Sequence, residues 1–146
     1  MKYAILDNND KVICFTTDAS KGGIPVDGLN TSNLKTKLDI EKAVKIKEIK
    51  QIAQNKIDEL SAKYAPYEVA SFADQRAEWK LYIADNNAKT PIVDAIANAR
   101  GISRDDLFTK IGNNVTAIAT AQGQQNALED AIEACATIED LEAIEI

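Results

Sequence analysis

At 146 residues the chain fits one ordinary domain, or a small domain carrying a helical hairpin. Apolar residues make up 45% but aromatics only 5%. A core built on Ala and Ile therefore gains little area per contact at about 25 cal/mol per Å², and stability is expected to lean on helix pairing, oligomerisation or a partner. The net charge of −6 is uneven: residues 1–62 hold 10 Lys against 9 acids, and residues 63–146 hold 7 basic against 14 acidic groups, with no basic residue after Lys110. An acidic surface repels phosphate backbones, which argues against nucleic acid as a partner.

The first element expected is a β-hairpin. Runs rich in Tyr, Ile, Val and Phe, from Lys2 to Leu6 and from Lys11 to Thr16, flank the turn-forming cluster Asp7-Asn8-Asn9-Asp10. That cluster lacks the glycine and distal Glu of a calcium-binding EF-hand loop. Residues 18–34, punctuated by Gly22, Gly23, Pro25 and Gly28, read as a connection holding at most one more short strand. Gly22-Gly23 next to Lys21 lacks the GK[ST] ending of a phosphate loop. A lone hairpin is marginal in water, so this segment must pack on a helix, pair with a strand or dock on a partner.

From about Leu38 the period becomes helical, with apolar residues at Ile46, Ile49, Ala53, Ile57, Leu60 and Tyr64. The run is long enough to resemble a coiled coil, and Pro66 is expected to end it. Lys42, Lys45, Lys47 and Lys50 read as a solvated face, or as one side of an antiparallel pairing with the acidic helix that ends near Cys135. A second helix is expected from Ser71, where Ser71-Phe72-Ala73-Asp74 forms a capping-box pattern. Its stripe would be Phe72, Arg76, Trp79 and Ile83, with Ala73, Ala77, Leu81 and Ala84 beside it.

Thr90-Pro91 opens a third helix with Thr as N-cap, Ile92, Val93, Ile96 and Ala97 on its apolar face, and Gly101 just past its end. Ser103-Arg104-Asp105-Asp106 starts the longest helix, with Leu107, Ile111, Val115, Ile118, Leu128, Ile132 and Cys135 in its stripe. Gln122-Gly123-Gln124-Gln125-Asn126 interrupts that stripe, either as a register-setting polar seam or as an exposed bend. Thr137 to Asp140 caps a short last helix carrying Leu141. The fold class is thus mainly α with a small N-terminal β part: hairpin, long helix, then a C-terminal helical hairpin or bundle. The expected division is a β-rich segment 1–37, a linking helix 38–65 and a C-terminal helical domain 71–146.

Little in this sequence points to covalent chemistry. There is no His, so the usual general base and Ser-His-Asp triads are missing. Neither of the two cysteines, Cys14 and Cys135, belongs to a CxxC pair, so no zinc site and no cofactor is expected. Both read as buried thiols, which suits a reducing compartment. Paired acids such as Asp105-Asp106 and Glu139-Asp140 sit where helix N-termini favour negative charge, a capping role. No apolar run reaches the roughly 20 residues of a membrane span, and the N-terminus is too short in apolar residues for a signal peptide. The chain is expected to be a soluble, unexported protein that binds other proteins and is not an enzyme. Tyr3, Ile5, Val12 and Phe15 on the hairpin are candidates for the binding surface. Phe72, Trp79 and Tyr82 are either core anchors or, on an exposed face, interface hot spots.

The order Ser71-Phe72, Gln75, Glu78-Trp79, Tyr82 to Asp85, Thr90 to Ala97, Ala99 to Ile102, Leu107, Lys110-Ile111, Gly123, Gln125, Leu128-Glu129 and Thr137 to Glu142 resembles the C-terminal region of bacteriophage tail-fibre assembly proteins and related small tail proteins, Mu-like prophages included. The resemblance implies a chaperone-like role: binding fibre or receptor-binding subunits and aiding their folding, trimerisation or attachment. The alternative it leaves is a structural adaptor that stays on the fibre or baseplate. The partner would be a tail-fibre or other tail protein, with a homo-oligomer as a further option. The setting would be the host bacterial cytoplasm during assembly, or the virion tail if the protein is retained. The family offers no catalytic residues. In such a protein the hairpin Lys2–Thr16 could cover a slow-folding β edge of the fibre by strand addition, while the helical part dimerises or docks.

Overall fold

A computed structural model describes residues 1–146. Its elements are β1 (Tyr3–Leu6), β2 (Val12–Thr16), β3 (Ile24–Pro25), α1 (Lys37–Ala62), α2 (Pro66–Ala84), α3 (Pro91–Arg100), α4 (Arg104–Ala134) and α5 (Ile138–Glu142). The chain is mainly α with a small antiparallel sheet, as its periodicities imply. Contacts divide it into two compact units: a terminal unit of residues 1–54 with 124–146, and a middle unit of residues 55–123. The segment 71–146, expected as one domain, is therefore shared between the two units.

In the terminal unit the sheet order is β2-β1-β3, so the first strand is the central one. The hairpin turn is held by Asp7, whose carboxylate accepts the N–H groups of Asn9 and Lys11, each at 2.9 Å. Those hydrogen bonds keep its carboxyl below the usual range. Ala4, Val26, Leu34 and Ile40 are buried beneath the sheet, with Leu6, Val12, Phe15 and Ile24 packed against them. Thr36 starts α1: its hydroxyl accepts the Asp39 N–H, while the Asp39 carboxylate accepts the N–H groups of Lys35 and Thr36.

A second cluster in this unit joins α1, α4 and α5 through Ile49, Ile132 and Leu141, with Ile46, Leu128 and Cys135 around them. Lys50 pairs with Glu129 at 3.2 Å and Lys42 Nζ donates to the Glu133 carbonyl at 2.8 Å, so these stretches of α1 and α4 run antiparallel. The orientation expected from charge is present, but mostly not as ion pairs. Lys45 Nζ donates to the Leu141 and Ile144 carbonyls at 2.7 and 2.6 Å, at the end of α5, where unpaired C=O groups and the helix dipole attract a cation. Lys47 turns instead to the Asp27 carbonyl. Thr137 and Asp140 form the reciprocal cap of α5 that the sequence implied.

In the middle unit α2 begins five residues earlier than the Ser71 pattern suggested. Pro66 does not merely end a helix; it occupies the first turn of the next one, where its missing N–H is harmless. Glu68 Oε2 accepts the Ala65 N–H at 2.8 Å, and the Ser71 hydroxyl is spent inside the helix on the Glu68 carbonyl. The helix keeps Phe72 and Trp79 on its packed face but turns Arg76, Leu81 and Ile83 outward, with Leu81 at 54% and Ile83 at 61% exposure. The packed face is Phe72, Gln75, Glu78, Trp79 and Tyr82, and two of these five are polar. A hydrophobic count misses such a face.

The core of this unit is Val93, Ala97, Leu107, Phe108 and Ile111, with Trp79 and Tyr82 against it. Gly101 ends α3 with φ +64°; its N–H donates to Asn98 and that of Ile102 to Ala97, the paired bonds of a Schellman motif. Gly112 lies inside α4 because a Cβ there would come within 2.9 Å of the Trp79 indole nitrogen. The helix α4 continues unbroken through Gln122–Asn126, where Gln125 donates to Glu129 at 2.7 Å.

Candidate protein-binding surfaces

The seven residues expected to bind a partner fall into three groups. Phe72, Trp79 and Tyr82 pack within the middle unit, the core alternative of the two readings open to them. Phe72 meets Tyr64 edge to face at 5.0 Å, and Tyr82 stacks on Phe108 at 4.2 Å. The Tyr82 hydroxyl donates to Asp105 at 2.9 Å, and this bond to a carboxylate raises the phenol's pKa.

Val12 and Phe15 are half-buried and pack toward the terminal unit's core. They are three residues apart, and an odd separation puts side chains on opposite faces of a regular strand. The irregularity in β2 resolves this: Ile5 pairs with Cys14 and Leu6 with Val12, which leaves Ile13 as the extra residue of a bulge.

Tyr3 and Ile5 alternate with buried Ala4 and so lie on the outer face of the sheet, both half-buried. Their cross-strand neighbours are Thr16 and Cys14, with Pro25 beside Tyr3 on β3. Ile13 is 62% exposed and Cys14 is exposed too, contrary to the expectation of a buried thiol. Gly23 makes this face possible, since a Cβ there would meet the Ala4 carbonyl at 2.6 Å and Ile5 Cδ1 at 2.8 Å.

The sheet has two edges of unequal use. On β2 the Val12 N–H donates to the Lys35 carbonyl at 2.7 Å and Lys11 bridges to Thr36, so one end is covered. Residues 13–16 carry no such cover from residues 35–36. The other edge, β3, is two residues long and contains Pro25, which has no N–H to offer. A strand added to this sheet would find its room beside Ile13–Thr16.

The residues that organise the middle unit, and that sequence reasoning did not single out for it, are Glu78 and Arg104. Glu78 is 7% exposed, and its two oxygens accept the N–H groups of Ile92 and Val93 at 3.0 and 2.8 Å. It caps α3 in place of Thr90, whose hydroxyl makes no cap bond and instead donates to Asp94. Arg104 donates to Thr90 Oγ1 at 3.0 Å and to the carbonyls of Asn86 and Ala88, pairs with Asp94 at 3.1 Å, and lies over the rings of Tyr82 and Phe108. These contacts account for Glu78, Tyr82, Thr90 and Asp94 as a folding device.

No group of three or more His, Cys, Asp or Glu side chains converges to hold a metal ion, and no helix is long and apolar enough to cross a membrane. No known family pattern, curated protein or solved structure matches this chain.

Proposed function

We propose that the protein is an assembly chaperone for a bacteriophage tail fibre. It would bind fibre or receptor-binding subunits in the host bacterial cytoplasm and aid their folding, trimerisation or attachment. It acts by holding surfaces together and makes or breaks no covalent bond. The observation that carries this reading is the outer face of the sheet, where Tyr3, Ile5, Ile13 and Cys14 form an uncharged apolar surface next to an uncovered edge. Fibres depend on non-local β pairing, which folds slowly and leaves edges open to aggregation. A small sheet with room for one more strand matches that need by strand addition. The ordered residues from Ser71 to Glu142, which resemble tail-fibre assembly proteins, support the same reading.

The test is co-expression with a bacteriophage tail-fibre subunit. Soluble fibre yield should rise with the wild-type chain and fall back with Ile13→Lys, which puts a charge on the outer face without touching the core. A yield indifferent to the chain overturns the reading. Stoichiometric presence in purified particles would replace it with that of a tail adaptor.

A further inference from the structure

Helices α2 and α4 run antiparallel in the middle unit: Tyr82 stacks on Phe108, Trp79 lies against Gly112, and Phe72 shares a small groove with Ile118. Phe72, Ile111, Val115 and Ile118 give that groove an apolar floor, and Arg76 and Asn114 stand at its rim. Gln75, also in the lining, spends its amide N–H on the Ser71 hydroxyl. An apolar floor with a few polar groups around it is the usual make-up of a ligand site. The groove holds about 50 Å³. At about 10–15 Å³ for each water-sized group, that is room for roughly four such groups, or one four-carbon aliphatic side chain.

The rim carries one cation and the lining holds no carboxylate. Arg76 is exposed and enters neither of the ion pairs, Lys50–Glu129 and Arg104–Asp94. The acids nearby are spent or turned away. Glu78 caps α3, and Glu68 accepts the Ala65 N–H. Asp74, two residues before Arg76, leaves α2 about 200° around from it, at about 100° per residue. No acidic residue occurs on α4 between Asp106 and Glu129, whereas Lys80 lies one turn beyond Arg76. A guanidinium offers paired N–H donors that match the two oxygens of a carboxylate.

We infer that this groove binds the C-terminal residue of a partner protein, an aliphatic one. Its side chain fills the floor, its α-carboxylate meets the Arg76 guanidinium, and the Asn114 side-chain carbonyl accepts its peptide N–H. The volume selects a chain end over an internal acid. An α-carboxylate sits beside its own side chain, while a Glu elsewhere in a segment would need a second residue in a groove with room for one. An alkyl carboxylic acid shares the carboxylate and the apolar tail, but it has no peptide group for Asn114. The inference rests on the protein-binding reading above and not on the partner's being a fibre.

The test is an NMR titration of the isotope-labelled full chain with acetyl-Gly-Ser-Gly-Leu bearing a free C-terminal carboxylate. The Arg76 Nε and Asn114 Nδ2 signals should shift saturably. The same peptide with a C-terminal amide should bind at least tenfold more weakly, because a charge-assisted pair is lost. The acid peptide should lose as much on Arg76→Gln, and no more than twofold on Arg100→Gln, an exposed arginine of α3. The amidated peptide needs no variant, so the outcome does not hang on the folding of Arg76→Gln. No saturable shift, equal binding of acid and amide, an equal loss in Arg100→Gln, or tighter binding of octanoate than of the peptide overturns the inference. Fibre co-expression reads the outer face of the sheet through Ile13, so the two proposals fail separately.

Discussion

In the middle unit a carboxylate caps the start of a helix, and in the terminal unit an ammonium caps the end of one. Glu78 meets the N–H groups at the start of α3, and Lys45 meets the carbonyls at the end of α5. Both obey the helix dipole, which draws anions to N-termini and cations to C-termini. They differ in depth. Glu78 is buried and brings two otherwise orphaned N–H groups into the packing around Val93, while Lys45 is half-buried with a long stem that can still reach water. The same electrostatic rule thus carries a larger free energy where solvent cannot replace the missing partner.

The most severe way to break this contrast is Glu78→Ala. It removes two charge-assisted bonds and strands two N–H groups, and should cost about 3 kcal/mol. Urea unfolding would measure it, and Glu78→Gln, which keeps one acceptor oxygen, should recover part of the loss. If Glu78→Ala unfolds at the wild-type midpoint, the cap is incidental.

Lys45→Gln is the matching change in the terminal unit and should cost about 1 kcal/mol, the usual value of an ordinary hydrogen bond. The loss should shrink as salt is added, because a half-exposed cation is screened. A salt-independent loss would show that Lys45 acts by packing its stem.

The smallest effect is expected from acid. For Asp39, burial acts to raise the carboxyl pKa but is outweighed by hydrogen bonds from the Lys35 and Thr36 N–H groups and the Thr36 side chain, and the net shift is downward. For Asp140, the hydrogen bonds of Thr137 lead and the shift is again downward. A folded-state pKa below the unfolded value of 3.8 means that both contributions are complete above that pH. They are lost as the pH falls through the depressed values. Replacing Asp39 and Asp140 together with Asn should lower stability at neutral pH by what the two carboxylates contribute and flatten the acid limb, so that variant and wild type converge at low pH. An acid limb identical to wild type would assign the loss to other carboxylates.

The sequence by itself determined the features whose partners lie within one turn. These are the Asp7 turn, the Thr137 and Asp140 cap, Gly101 after α3, and the helical periods of α1 and α4. Each is a bond between residues two to five apart, so local spacing encodes it. Only the tertiary structure decided that Glu78 caps α3 from 14 and 15 residues upstream, that Arg104 ties down residues 86–90, and that three lysines of α1 share a cleft. It also decided that Ile13, and not Val12 or Phe15, stands out from the sheet, because the pairing partner on β1 creates the bulge. For Glu78 and Arg104 the physical reason is the same. A polar side chain carries no periodic mark of the distant main-chain group it will satisfy, so its role exists only once folding has brought the two together.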